Sequence, residues 1–223
     1  MDWQDEGFLL SKNNFNENSI IIETFTFSHG RYSGIVYGGS SRKQKKYFQI
    51  GNKIFLNWKS KGQNKPGYFN VELIKPISPF FFDDKKRTSC ILSASSILKI
   101  LLPERQINKY IFDSFEFLLN NLHLENWIQS YIKWELSLIK ELGFEINLYN
   151  KNQPNLIRNN SVEINNKFFK IPKILVNENL NVNYYKEVKE ALVFNKNLLI
   201  ENFILPNKLK FPLFRNILEN YYS

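Results

Sequence analysis

Few residues in this 223-residue chain have the types and spacing for covalent chemistry. The histidines are His29 and His123, and the cysteine is Cys90. His29 stands in a Ser-His-Gly turn and reads as structural, whereas His123 falls between two helical stretches and reads as exposed. Neither has a serine and an acid ordered as a triad requires. Cys90 opens a helical stretch, where a helix N-terminus can activate a thiol, but a small buried residue is the simpler reading. Asp83-Asp84 are followed at once by Lys85-Lys86-Arg87, which describes a solvated turn better than a metal pair. Glu135 falls on the apolar stripe of a helix, and a buried carboxylate there needs a cationic partner. No Walker A or dinucleotide-binding glycine pattern occurs. One cysteine provides neither a disulfide framework nor a thiolate metal site. The residues therefore predict a protein that is not an enzyme and has no metal or cofactor.

The chemistry that is concentrated is ionic. Between Glu23 and Glu72 the chain has no acidic residue, and its charges are Arg31, Arg42, Lys43, Lys45, Lys46, Lys53, Lys59, Lys61 and Lys65. These nine equal the formal net charge of +9, because residues 1–23 carry −4 and residues 72–223 carry +4. Four of the cations occupy the five positions from Arg42 to Lys46, a run too polar and self-repelling for a core. Aromatic residues surround it. A basic loop on strands, with Tyr37, Tyr47, Phe48 and Trp58 nearby, fits a polyanion groove with stacking surfaces. Arg31, Arg42, Lys43, Lys45 and Lys46 are the candidate phosphate ligands, supported by Lys59 and Lys61. Tyr37, Tyr47 and Trp58 are the stacking candidates. The competing reading is a solvated loop with the aromatics in the core.

Strands must position these groups. Gly7 to Leu10, Ser19 to Phe27, Tyr32 to Tyr37, Lys53 to Lys59 and Tyr68 to Ile74 read as five short strands, with His29-Gly30 as a turn. Lys53–Lys59 alternates cleanly, with Ile54, Leu56 and Trp58 on one face. Five such strands within residues 1–78 predict a small barrel. After Pro79 the period becomes helical, over Thr88–Leu102, Lys109–Leu122 and Glu125–Leu142. Pro103 stops the first helix and Gly143 suits the C-cap of the third. These three predict a bundle over 79–148. Residues 149–223 read as an Asn-rich stretch with a hairpin of Asn155–Arg158 and Ser161–Ile164. Helices follow over Tyr184–Val193 and Asn197–Phe203, then a terminal one over Phe211–Tyr222 with Pro212 in its first turn. Apolar packing by Phe168, Phe169, Ile171, Leu192, Phe203 and Phe214 is expected to hold this region. The fold class is α+β.

No apolar run approaches the ~20 residues of a membrane span, and the acidic start Asp2-Trp3-Gln4-Asp5-Glu6 is unlike a signal peptide. A soluble, cytoplasmic, nucleoid-associated protein is expected.

Trp3-Gln4-Asp5-Glu6-Gly7 resembles the W-x-D-E-G opening of alphaproteobacterial RecO proteins. His29-Gly30-Arg31, Gly34 and Gly38-Gly39 ahead of the basic loop resemble the family's H-G-x-x-x-G…G-G/A-R-x-x-(K/R) region. Leu102-Pro103-Glu104-Arg105 is similar to its L-P-E-R, and Trp134-Glu135-Leu136 with Glu141-Leu142-Gly143-Phe144 to its R-W-E-L…E-L-G-F helix. The order and spacing hold across residues 1–148 and thin out beyond. The resemblance implies an oligonucleotide/oligosaccharide-binding barrel over 1–78, a helical domain over 79–148 and a smaller C-terminal region over 149–223. It also implies a recombination mediator that binds single- and double-stranded DNA and anneals complementary strands. Such a mediator works with RecR, engages the C-terminal tail of single-strand-binding protein and helps load RecA. Many relatives carry a four-cysteine zinc site after E-L-G-F. Here Asn147-Leu148-Tyr149-Asn150-Lys151 stands there, so a zinc-less, degenerate subdomain is expected. An RNA-binding barrel protein of translation or RNA metabolism is the alternative. A nuclease would need clustered carboxylates, which the basic stretch lacks.

Overall fold

The computed structural model describes residues 2–42, 44–60, 67–144, 157–158, 161–175 and 184–223. Their contacts divide the chain into two compact units, Met1–Leu119 and Asn120–Ser223.

The first unit is built on β1 (Asp2–Asn16), β2 (Ser19–Thr26), β3 (Gly30–Tyr37), β4 (Lys53–Lys59) and β5 (Tyr68–Lys75). They close a barrel in the order β1-β2-β3-β5-β4. β4 pairs antiparallel with both β1 and β5, and β3 meets β5 in parallel where Ile35 faces Tyr68. This is the five-stranded oligonucleotide/oligosaccharide-binding barrel that the sequence predicts. Alternation along β4 sends Ile54, Leu56 and Trp58 inward to meet Leu9, Ile20, Ile22, Val36 and Phe69. β1 departs from expectation. It runs for 15 residues, well beyond Gly7–Leu10. Its charged start is held by pairing with β4 from Asp2 to Phe8, and its Asn-rich end by pairing with β2 as far as Asn16. Cross-strand partners override weak local β-propensity here.

α1 (Lys85–Leu101) begins at Asp84, whose side chain accepts from the backbone N–H groups of Lys86 and Arg87. Asp84 is thus an N-cap rather than part of a solvated turn. Burial would raise its pKa, but hydrogen bonds and charge from Arg87 outweigh burial and hold the carboxyl below its usual range. Cys90 is buried in α1, as expected. α2 (Lys109–Asn120) lays Phe112 and Phe115 on Phe8, and Phe112 on Phe25. Residues 79–148, expected as one helical domain, contribute α1 and nearly all of α2 to the first unit, and α3 (Trp127–Glu141) to the second.

The second unit adds β6 (Ile157–Arg158), β7 (Ser161–Ile164) and β8 (Lys167–Lys170), a three-stranded antiparallel sheet. α4 (Tyr184–Leu199) continues into a π-helical turn at Ile200–Ile204, where two helices were expected. α5 spans Leu213–Asn220, and Pro212 is its N-cap rather than a first-turn residue. Of the expected C-terminal core, Ile171 and Leu192 are buried, Phe169, Phe203 and Phe214 are partly covered, and Phe168 is exposed. Strand register explains Phe168. It pairs with Glu163 on the outer face, while Phe169 pairs with the buried Val162. The expected cation for Glu135 is Arg215. Both side chains are fully buried, with Arg215 Nε 2.6 Å from Glu135 Oε1 and Nη2 3.1 Å from Oε2.

Candidate nucleic-acid interface

The β3–β4 connection carries the densest run of cations, and its backbone is a series of tight turns. The N–H groups of Gln44 and Lys45 both donate to Ser41 O, at 3.0 and 2.9 Å, and Tyr47 N–H donates to Gln44 O at 2.9 Å. Phe48 then enters the barrel core, 1% exposed, so the connection ends in an apolar plug. Below it the buried Asn52 donates from Nδ2 to Tyr47 O and accepts at Oδ1 from the N–H groups of Ile77 and Ser78. Ser78 Oγ donates to Ile50 O. The connection is therefore anchored from beneath, and Arg42, Lys45 and Lys46 project from it into solvent. Lys43 and Lys61 lie outside the described residues.

The sequence candidates separate into two groups. Arg42, Lys45, Lys46, Tyr47 and Tyr37 belong to the connection or to the strand end leading into it. Tyr37 is 62% exposed and lies 5.9 Å from Tyr68, ring centre to ring centre. Lys59 pairs with Tyr68 across β4 and β5, which brings it to the same barrel edge. Tyr47 is half-buried with Lys46 Nζ 5.2 Å from its ring centre. Arg31 stands apart. It sits at the far end of β3, roughly 20 Å along the strand from Tyr37 by the usual rise per residue. Its Nη1 bonds Glu23 at 2.8 Å and its Nε donates to Leu102 O at 2.8 Å. Arg31 is thus committed to the fold. Trp58 is 8% exposed in the barrel core, stacked on Trp3 with ring centres 5.6 Å apart. No base can lie on Trp58 or on Phe48 without the barrel opening.

Charge balance separates the same residues. Arg31, Lys53 and Lys99 are satisfied by Glu23, Glu6 and Glu116. For Lys53 those two acids outweigh burial and raise its pKa. Arg42, Lys45 and Lys46 enter no ion pair among the described residues. Sequence reasoning missed two neighbours. Tyr68 adjoins Tyr37, and Lys12 on β1 sends its Nζ to Phe48 O at 2.5 Å. Burial of the ammonium, and then the charge of Lys45, lower the Lys12 pKa. An unrelieved pair of like charges is what a bound phosphate would neutralise. Lys12 was hidden because it precedes the acid-free stretch and is brought beside it only by the barrel.

His29 is structural, as expected. Its Nδ1 lies 2.8 Å from Asp5 Oδ2, and its ring stacks on Trp3 at 4.1 Å. Among the described residues no group of three or more His, Cys, Asp or Glu side chains could hold a metal ion. Nor is any described helix long and apolar enough to cross a membrane.

Comparison with known proteins places these features. Residues 1–77 match the family described as Recombination protein O N terminal, and residues 83–153 match Recombination protein O C terminal. The DNA repair protein RecO of Cereibacter sphaeroides is 35% identical over 148 residues, which cover 66% of this chain and 62% of that relative. The DNA repair protein RecO of Jannaschia sp. is 33% identical over 148 residues, covering 66% and 61%. That of Rhodospirillum centenum is 29% identical over 144 residues, covering 65% and 58%. The matched stretch is thus less than two thirds of each relative's length.

Proposed function

This chain belongs to the RecO family of DNA repair and recombination proteins, and from that footing we propose that it is a non-catalytic recombination mediator. In this reading it binds single- and double-stranded DNA and anneals complementary strands. With RecR it helps load RecA onto DNA coated with single-strand-binding protein. One observation carries the DNA-binding part: Arg42, Lys45 and Lys46 project from a braced connection at the end of the barrel, with no ion pair among the described residues. Folding gains little from holding like charges together there, whereas a phosphate backbone satisfies them all. Lys12, Lys59, Tyr37 and Tyr68 extend the same surface, and Lys43 and Lys61 are proposed as further phosphate ligands. Annealing follows from the same charges, since two strands approach only when their mutual repulsion is offset.

The partner for the second unit is proposed from a pocket of about 370 Å³ between β8 and α4. Phe168, Phe169, Val193 and Phe194 give it an apolar lining, and Lys170 and Lys189 stand at its margin with Glu190. The tail of single-strand-binding protein is acidic and ends in an apolar residue, the chemistry such a pocket fits.

The test of the DNA site is to replace Arg42, Lys43, Lys45 and Lys46 together with Gln. Affinity should fall alike for all sequences, because phosphate contacts carry no base information. The slope of log affinity against log salt should drop by about 0.7 per lost contact on single strands and about 0.9 on duplex. Stability should hardly change, since exposed charges contribute little to it. An unchanged slope in a folded variant would put the DNA on another face.

A further inference from the structure

The β1–β2 hairpin ends in an exposed tip at the edge of the barrel. From Lys12 to Asn18 every residue is exposed. Phe15, 51% exposed, is the only apolar side chain in a run of Lys, Asn and Glu. The tip is nevertheless held against the basic connection at two points. Ser40 Oγ donates to Glu17 O at 2.8 Å, and Lys12 Nζ donates to Phe48 O at 2.5 Å. The strand register also sets Asn16, Ser19 and Tyr37 in one row across β1, β2 and β3. The hairpin therefore stands beside the exposed Tyr37 and the basic connection.

We propose that the hairpin tip and the basic connection together bind the unpaired bases of a single strand, with Phe15 as a stacking residue and Lys12 as a phosphate ligand. This rests on the reading of the connection as a phosphate site and adds to it a discrimination between strands. An exposed ring among polar side chains gains nothing from the fold but offers a face to any unstacked base. Asn13, Asn14 and Asn18 are uncharged donors and acceptors beside it, of the type that meets base edges. Duplex DNA keeps its bases stacked and paired, so it uses the cations and leaves Phe15 idle. Glu17 at the tip opposes close approach of a phosphate to the turn itself, which favours bases over backbone at that point.

The experiment measures binding of the full chain to a thymidine oligonucleotide and to a duplex of equal length. The variants are Phe15→Ala, Phe15→Trp, Lys12→Gln and the quadruple Gln variant of the connection. Phe15→Ala should lose roughly tenfold in affinity for the single strand, the expected order for one stacked base. Its duplex affinity and its salt slope should stay unchanged, because stacking releases no counterions. Phe15→Trp should retain single-strand affinity. Lys12→Gln should lower the single-strand salt slope by about 0.7. Equal losses on both substrates, or none, for Phe15→Ala would overturn this inference while leaving the phosphate site intact. Full binding by the quadruple variant would overturn both.

Discussion

Arg31 and Arg42 belong to one acid-free stretch of sequence, yet the fold uses them differently. Arg31 is satisfied by Glu23 across the β2–β3 hairpin and by the Leu102 carbonyl, which is distant in sequence. Arg42 has no such partner among the described residues. Sequence could give the sign and density of charge but not its neutralisation, because strand pairing decides which acid each cation meets. Glu135 illustrates the same boundary. Its place on an apolar stripe announced the need for a cation, but Arg215 lies 80 residues away and nothing local points to it. In the structure Glu135 also accepts from Tyr131 Oη at 2.7 Å and from Asn195 Nδ2 at 3.2 Å. Arg215 further donates to Leu192 O at 2.6 Å, so one guanidinium ties α3, α4 and α5 together. The charge of Glu135 outweighs burial and raises the Arg215 pKa further, so the guanidinium stays charged. Glu135→Ala leaves a buried charge uncompensated and should cost about 3–5 kcal/mol. The double variant Glu135→Leu with Arg215→Met should cost far less, since it removes both desolvation penalties. Urea unfolding of the two variants checks this, and equal losses would show that the charges themselves are not what matters.

The strands and helices were legible to within a few residues where local pattern decides, as in β4, whose alternation fixes both its ends and its inner face. β1 was not, because its outer parts are strands only by virtue of their partners. Contacts between elements were the least legible. His29-Gly30-Arg31 and Leu102-Pro103-Glu104-Arg105 are far apart in sequence, yet they meet. Arg105 N–H donates to Arg31 O at 2.9 Å. The Arg105 guanidinium lies 5.3 Å from the centre of the Tyr32 ring. Trp3 and Asp5 of the opening segment reach His29 from the other side. Gly30 makes this possible. Its φ is +73°, and a β-carbon there would lie 2.1 Å from the backbone oxygen of Gln106. Gly30→Ala should therefore push the α1–α2 connection away from the β2–β3 turn and lose Arg31's bond to Leu102. Backbone strain of this kind costs of order 1–3 kcal/mol before the lost contacts are counted. A lowered denaturation midpoint with a DNA salt slope unchanged from the parent is the expected result. A changed slope with unchanged stability would mean that this end of the barrel, and Arg31 with it, meets the DNA after all.

At the scale of the molecule, two compact units each have an apolar core of their own, and the two proposed ligands differ as the units do. DNA needs many dispersed cations, whose contribution shows as a salt slope. An acidic peptide ending in an apolar residue needs one pocket and a few charges at its margin. The pocket lined by Phe168 and Phe194 was only partly legible. Phe168 belongs by its apolar character to the core that the sequence predicts, and only the register of β7 with β8 turns it outward. Reversing Lys170 and Lys189 to Glu should reduce binding of such a tail peptide by about tenfold or more, since like charges at a binding margin oppose association. The apolar lining is left in place, so some affinity should survive at high salt, where the reversed charges are screened. DNA affinity should change little, because the proposed phosphate ligands all belong to the first unit. A far-ultraviolet circular dichroism spectrum and a urea midpoint unchanged from the parent serve as the control for folding. Peptide binding undiminished in a variant that still holds DNA would remove this pocket as the receptor. Loss of DNA and peptide together would show that these lysines take part in DNA binding and that the two tasks are not divided between the units.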